Sequence, residues 1–169
     1  MSLEPEHKEF SEFFSEFNKE SDRGAALNAA ALIDEWLQNI LTSFLVENKS
    51  AKKLVNGFNA PLGDLSSRAV AAHALGLIQD NESHEINLIR KIRNEFGHKW
   101  KDISFENHKV ASLTRELPWG GPSELEEGST NRQRFNFATS ILLMDLIWRA
   151  RLATQEKRVS KMWPNKSRK

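Results

Sequence analysis

Apolar residues recur along this chain at spacings of three and four, and no alternating run is long enough for a β-strand. The helices that this spacing predicts cover about residues 6–18, 22–46, 64–78, 83–98 and 131–157, with a weaker helix over 105–116. Residues 48–60 are less regular, so a loop is expected there. The predicted fold class is all-α, an up-and-down bundle of five to seven helices.

The same spacing predicts which helix faces are buried. Ser21 or Asp22 is suited to cap the second helix, and Asp64 or Ser66 is suited to cap the next one. The fourth predicted helix begins near Ser83, after a break at residues 81–83. The face expected to be buried on the 64–78 helix consists of Val70, His73, Ala74, Leu77 and Ile78. The expected core includes Trp36, Leu37, Ile40, Leu77, Ile89, Ile92, Leu142 and Leu146.

The first helix carries an aromatic stripe, formed by Phe10, Phe13, Phe14 and Phe17. This is more aromatic surface than a short terminal helix needs. The stripe is therefore expected either to pack on its own domain or to close a homodimer.

Composition narrows the class of protein. The 169 residues suffice for one core, and we expect residues 1–160 to form a single helical domain. Cysteine is absent, which favours a reducing cytoplasm. No signal peptide is visible, and the most apolar stretch, residues 137–148, is interrupted by Asp145 and too short to span a membrane. If Asp145 is buried, it needs a partner such as Arg149 or Arg68.

Charge is distributed unevenly although the net charge is only +1. Residues 161–169 are expected to be a basic, disordered tail. The residues there and just before it that could attract a phosphate backbone are Lys157, Arg158, Lys161, Lys166 and Arg168. Solvation of a frayed end, or pairing with the acidic N-terminal segment, explains these charges more simply. No helix-turn-helix is evident, and residues 131–136 are interpreted as a polar helix start, so direct specific DNA binding is not expected.

The most distinctive chemistry is the sequence Arg93-Asn94-Glu95-Phe96-Gly97-His98 at a predicted helix end. Residues five apart in an unbroken helix lie about 140° apart around the axis, so Arg93 and His98 would not face each other. A left-handed Gly97 could turn His98 back over the last helical turn. Arg93 could then hold a phosphate, His98 could move a proton, and Asn94 could position a water. The alternative is structural: Arg93 pairs with Asp34 or Glu35, and His98 caps a carbonyl.

The turn Pro61-Leu62-Gly63-Asp64-Leu65-Ser66-Ser67-Arg68, followed by Ala74-Leu75-Gly76-Leu77-Ile78, resembles the signature of the mannitol operon repressor family. The opening Glu20-Ser21-Asp22-Arg23-Gly24-Ala25-Ala26 is also similar, and the likeness covers about residues 10–115. The motif residues are Pro61, Gly63, Ser66 and Arg68. The resemblance implies an all-helical bacterial cytoplasmic protein classed as a transcriptional regulator of a sugar-alcohol operon, without catalytic residues.

The R-x4-H pattern formed by Arg93 and His98 resembles a motif of the HEPN superfamily. That resemblance implies a metal-independent ribonuclease or toxin in which two copies of the motif meet across a dimer. The preferred hypothesis is a repressor-like regulator that acts through a protein partner and is not an enzyme. The alternative is an endoribonuclease that uses Arg93, Asn94 and His98 on RNA. No cofactor and no metal are expected, because His84, Glu85 and His108 lack a metal-ligand spacing.

Two further residues carry weaker expectations. His73 lies on the predicted apolar face of its helix, so a buried and satisfied core histidine is expected there. Trp119, in the sequence Pro118-Trp119-Gly120-Gly121, could stack on a base or ligand, or pin a loop to the core.

Overall fold

A computed structural model describes residues 5–99 and 101–164. Within these ranges the chain forms helices and no strand, which confirms the all-α fold class. The α-helices are α1 (Pro5–Lys19), α2 (Asp22–Phe44), α3 (Lys49–Val55), α4 (Leu65–Ala74), α5 (Asp80–His98), α6 (His108–Arg115) and α7 (Asn131–Gln155). A single 3-10 turn, Ser123–Leu125, lies in the loop before α7.

Local side chains define where the main helices begin. Ser21 caps α2 by accepting a hydrogen bond from the Gly24 amide at 3.0 Å. Asp64 caps α4 by accepting from the amides of Ser66 and Ser67, so the predicted cap of this helix is confirmed. Thr130 caps α7 reciprocally with Gln133. Each cap satisfies amides that have no partner inside the helix, which fixes the starting residue.

The core lies between α2 and α7, with the other helices packed around this pair. Alanines at positions 25, 26, 29 and 30 are buried on α2 and let its neighbours approach closely. Every predicted core residue is buried except Trp36, which is half-buried against the core. An aromatic cluster closes the end of the core near α6 and consists of Phe17, Phe96, Phe105 and Phe135.

The predicted buried face of α4 is wrong at three positions. Val70, His73 and Ala74 are exposed, whereas Arg68, Ala69 and Ala72 are buried. The helix turns its small residues toward α2 because the Arg68 side chain bonds inward to α2 and sets the rotation. His73 therefore lies at the surface, where its Nε2 is 2.8 Å from an oxygen of Asp80.

Two predicted irregular segments also differ from the structure. The loop expected at 48–60 contains α3, which Asn48 caps by accepting from the Ala51 amide at 2.8 Å. The break expected at 81–83 lies earlier, at residues 75–79, where Gly76 has a φ of +70°. Helix α5 then begins at Asp80, because the Glu82 carboxylate accepts from the Gln79 amide at 2.6 Å.

Arg132 joins the two ends of the described chain. Its guanidinium bonds to the carboxylate of Asp22 at 3.1 Å and to the carbonyl oxygens of Phe17 and Glu20. Its Nε donates to Asn136 at 2.8 Å, one turn further along α7. Helices α1, α2 and α7 are therefore locked together by one side chain.

The aromatic stripe of α1 packs at least partly on its own domain. Phe17 is buried against Phe135, and Phe14 remains 37% exposed. The side chains of Phe10 and Phe13 lie outside the described part of the structure. Among the described residues, no helix combines the length and apolar content needed to cross a bilayer.

Asp145 on α7 is exposed and therefore needs no buried partner. Arg149 instead donates to Glu82 at 2.8 Å and to the Leu77 carbonyl at 2.9 Å.

The carboxyl group of Glu85 lies half-buried near this ion pair. Burial, helped by the charges of Asp145 and Glu82 and opposed by a hydrogen bond with Asn81, raises the pKa of Glu85 to about 7.

We expect Glu85→Gln to stabilise the protein above neutral pH. The folded-state pKa of about 7 exceeds the ordinary value of 4.5, so the folded state binds more protons between those pH values. The free energy of unfolding should therefore fall as pH rises from 4.5 to 7. The variant should remove this slope and gain about 1 kcal/mol at pH 8, since solvent screens a half-exposed group. Urea denaturation at pH 5 and pH 8 measures the gain, and the exposed Glu127→Gln variant is the control. Equal slopes in wild type and Glu85→Gln would contradict the assignment.

Candidate functional site

The turn that precedes α4 is held by close backbone packing. The Leu62 amide donates to the Leu54 carbonyl at 2.9 Å, which ties the turn to the end of α3. A Cβ atom on Gly63 would lie 2.8 Å from the carbonyl oxygen of Ala60, so glycine is required there for space. The motif Pro61–Arg68 thus forms a compact corner between α3 and α4.

Arg68 is the centre of this corner and is only 7% exposed. Its Nη1 donates to Asp34 on α2 at 2.6 Å, and its Nε donates to the Leu62 carbonyl at 3.0 Å. Its Nη2 donates to the Val55 carbonyl at 3.3 Å. One guanidinium therefore ties α2, α3 and the turn together. The geometry gives Arg68 a structural role, because each of its three nitrogens already bonds within the protein.

A groove opens beside this corner, between α2, the start of α4 and α5. Its volume is about 530 Å³. The lining residues are Leu27, Ala30, Ala31, Asp34, Gly63, Asp64, Leu65, Ser66, Arg90, Arg93 and Asn94. Two of the four motif-turn residues, Gly63 and Ser66, and two of the three candidate catalytic residues, Arg93 and Asn94, thus line the same groove. Arg90, Arg93 and Asn94 share a face of α5 because they are three and four residues apart.

The predicted turn at Gly97 does not occur. Gly97 is helical, and α5 continues to His98. Arg23 of α2 caps this helix end by donating to the carbonyl oxygens of Phe96 and Lys99. Because the helix is continuous, His98 lies about 140° around the axis from Arg93. Within one chain, His98 is exposed but does not share the groove with Arg93 and Asn94.

The structural alternative, in which Arg93 pairs with Asp34 or Glu35 and His98 caps a carbonyl, also differs from the observed contacts. Asp34 pairs with Arg68, and Arg93 donates to its neighbour Asn94 at 3.1 Å. No hydrogen bond from His98 to a carbonyl occurs in the described ranges. Arg93, Asn94 and His98 therefore stay candidates, with two of them side by side.

The basic residues near the C-terminus divide into two groups. Lys157 bonds to Glu47 at 3.1 Å, and this contact lowers the pKa of the Glu47 carboxyl. The Arg158 amide donates to the Phe44 carbonyl at 2.7 Å, and its guanidinium lies 5.8 Å from the Phe44 ring centroid. Lys161 is exposed, whereas Lys166 and Arg168 lie outside the described residues. The first two residues thus contact the end of α2.

Sequence reasoning missed an apolar surface on α7. Five side chains there are 36–52% exposed and form what we call the α7 stripe: Phe137, Ile141, Met144, Trp148 and Leu152. Their spacing places them along one side of the helix over about 22 Å. In the sequence, residues 135–148 are apolar on most sides of the helix, which hides the boundary between the buried face and the outer face. The spacing of four, three, four and four residues is the signal that a separate outer face exists.

Trp119 pins its loop to the helical core, and its ring is occupied by contacts within the protein. Its ring stacks on Phe137 with centroids 5.3 Å apart, and its Nε1 donates to the Pro122 carbonyl at 2.9 Å. Arg134 covers the ring at 5.5 Å. The loop before α7 is therefore packed on one end of the α7 stripe. No group of three or more metal-binding side chains occurs in the described ranges.

One solved structure is similar to this chain, whereas the sequence comparisons find no match. No family model and no curated protein sequence matches the chain. Among solved structures, the chain is similar to MtlR in the X-ray structure of the MtlR–HPr complex from Escherichia coli. The TM-score is 0.55 at 20% sequence identity, and the match covers 86% of this chain and 98% of the other.

This chain has an MtlR-like fold. The expectation raised by the Pro61–Arg68 turn is confirmed at the level of the fold. The comparison gives no support to the likeness with the HEPN superfamily, which stays a prediction.

Proposed function

We propose that this protein is a mannitol operon repressor-like bacterial regulator that works in the cytoplasm by binding another protein. The observation that carries the proposal is the shared fold over nearly the whole of MtlR, which was solved in complex with HPr. An HPr protein is therefore the partner that we assign. The Arg68 corner supports this proposal, because it is a packed structural element and leaves the molecular surface available for contacts.

The start of α7 supports regulation without direct base readout. Its polar side chains are the donors best suited to contact bases, but they bond within the protein. Arg132 holds Asp22, Arg134 donates to the Leu117 carbonyl at 3.1 Å, and Asn131 donates to the Phe105 carbonyl at 3.2 Å. Reading DNA with these residues would break the contacts that hold α1, α2 and α6 to α7.

The α7 stripe supports a homodimer. Its exposed apolar area is on the order of 400 Å² per copy, in the range of the largest apolar patch of a typical monomer, and such patches are often functional. The spacing of Phe137, Ile141, Met144 and Trp148 is that of two helices packing along their length. Two stripes would together cover about 800 Å², which is below the about 1,000 Å² of a specific interface, so the dimer contact must extend beyond the stripe. The cavity beside Phe137 is also lined by Phe14 and Leu125, so the apolar surface continues onto α1 and the loop.

The function is tested by calorimetric titration of HPr, purified from the same bacterium, into the full-length protein. We expect saturable binding with a Kd at or below the micromolar range. A mobility-shift assay with promoter fragments should show no sequence-specific complex with the protein alone. Binding to a specific DNA site without HPr, together with no HPr binding, would contradict the proposal.

A ribonuclease is the second candidate, favoured by the position of Arg93 and Asn94 in an open groove that also holds Arg90. Since His98 points elsewhere on the same helix, catalysis would require the His98 of a second copy. In the same preparation, single-stranded RNA is incubated with wild type and with His98→Ala in the presence of a chelator. Cleavage by wild type that His98→Ala abolishes would establish this activity. Intact RNA after hours would remove it for the isolated protein.

A further inference from the structure

The groove between α2, α4 and α5 contains two arginines with no acidic partner in the described residues. Arg90 makes one hydrogen bond, at 3.4 Å to the Asn87 amide oxygen, and Arg93 bonds only to Asn94. Arg68, Arg132, Arg134 and Arg149, by contrast, each bind a carboxylate. In the described part of the chain, the guanidiniums of Arg90 and Arg93 thus have no carboxylate bonded to them.

Two buried polar atoms at this groove also lack a partner. They are Nε of Arg90 and Oδ1 of Asp34, one a donor and the other an acceptor. A buried polar atom without a hydrogen bond destabilises the folded protein, so each such atom needs a physical explanation. An oxygen of a ligand would satisfy the Arg90 donor, and a hydroxyl would satisfy the Asp34 acceptor after small side-chain rotations.

The two carboxylates in the groove do not cancel its positive charge. Asp34 is paired at 2.6 Å with the buried Arg68. Asp64 accepts from the amides of Ser66 and Ser67, which turns its charge toward the start of α4. The backbone hydrogen bond from Ser67 is the main reason that the pKa of Asp64 is lowered. With Asp34 paired to Arg68, the groove holds the guanidiniums of Arg90 and Arg93 against the Asp64 carboxylate, which leaves a net positive charge for an incoming anion.

We propose that this groove binds a small phosphate ester that carries free hydroxyl groups. The phosphate lies between the guanidiniums of Arg90 and Arg93, with the Asn94 amide as a further donor. The hydroxyls lie toward α2, where Asp34 can accept a hydrogen bond. The volume of about 530 Å³ falls within the usual range for small-molecule sites. The site does not involve HPr, so a negative result for ligand binding would leave the proposed binding of HPr untouched, and the reverse also holds.

The site is tested on the full-length protein alone by calorimetry and by 31P NMR line broadening with glycerol 3-phosphate. We expect a Kd of about 1 mM or tighter, weakening with salt because the contact is ionic. Arg90→Gln and Arg93→Gln should each weaken binding at least tenfold. The exposed Arg115→Gln variant is the matched control and should bind as wild type does. Melting temperatures confirm that the variants are folded.

Other probes decide the class of ligand. Glycerol should not bind, and inorganic phosphate and glycerate should bind more weakly than glycerol 3-phosphate. Equal affinity for inorganic phosphate would overturn the hydroxyl contact, and tighter binding of glycerate would overturn the assignment to phosphate. Tighter binding of a short single-stranded RNA would assign the groove to nucleic acid instead. No binding at about 50 mM ester, or binding unchanged in both glutamine variants, would overturn the site itself.

Discussion

Replacing Arg68 by alanine is expected to lower the free energy of unfolding by about 3–5 kcal/mol, the largest effect of a single side chain that we predict. The substitution removes three hydrogen bonds and leaves the Asp34 carboxylate partly buried with no cation beside it. It also frees the carbonyl oxygens of Leu62 and Val55 inside the corner. An uncompensated charge costs more than the lost bonds alone, because its solvation is not restored.

Urea denaturation followed by circular dichroism measures this change. Arg115→Ala is the control, since Arg115 is exposed at the end of α6 and its loss should change stability by less than about 0.5 kcal/mol. Arg68→Lys should recover only part of the loss, because an ammonium cannot reach all three acceptors in the planar geometry of a guanidinium. A loss below about 1 kcal/mol for Arg68→Ala would mean that the corner is held by packing alone.

Charges placed on the α7 stripe are expected to weaken the proposed homodimer strongly. In the variant Met144→Glu/Trp148→Glu, each copy would bring two carboxylates into an apolar contact. The dimer Kd should weaken at least a hundredfold, which corresponds to about 3 kcal/mol. The fold should survive because both side chains are about half exposed in the single chain. Sedimentation equilibrium over a range of concentrations measures the mass directly.

The matched control is Val70→Glu, which places the same charge on an apolar residue that is 67% exposed on α4. This variant should stay a dimer. A wild type that is monomeric at high micromolar concentration would reject the homodimer. The HPr titration, repeated with the α7 variant, would then show whether the stripe serves the partner protein.

The sequence predicted the helices well where local signals act alone. Ser21 and Asp64 are capping residues in the chain and in the structure, because a cap needs only amides within three residues of it. The buried stripe of α2 was predicted for the same reason, since about six helical turns of consistent spacing leave little ambiguity. These features depend on contacts between near neighbours along the chain.

Features set by distant contacts were not predictable in the same way. The rotation of α4 follows from the bond between Arg68 and Asp34, which are 34 positions apart. An arginine counts as polar in any sequence pattern, so its burial shifted the predicted face. Gly97 stayed helical because Arg23 supplies the end cap that a left-handed glycine would otherwise provide. Nothing near Gly97 in the sequence indicates that partner.

The candidate site was predicted in part. The sequence singled out Arg93 and Asn94 on one side and the Pro61–Arg68 turn on the other, but it treated them as unrelated motifs. The fold places them across a groove, together with Arg90, which no motif had indicated. The predicted turn at Gly97 was wrong. Helix α5 is unbroken to His98, and for an unbroken helix the sequence correctly placed His98 away from Arg93.

The Arg132 junction has a consequence for synthesis of the chain on the ribosome. The bonds from Arg132 to Asp22 and to the Phe17 carbonyl span more than a hundred positions, and α7 supplies much of the core that covers α2. At about 5–20 residues per second, the apolar face of α2 emerges several seconds before α7 exists to cover it. During that interval the alanine-rich helix has no complete core to join. We therefore expect the nascent chain to expose apolar surface of α2 until its last described helix has left the exit tunnel.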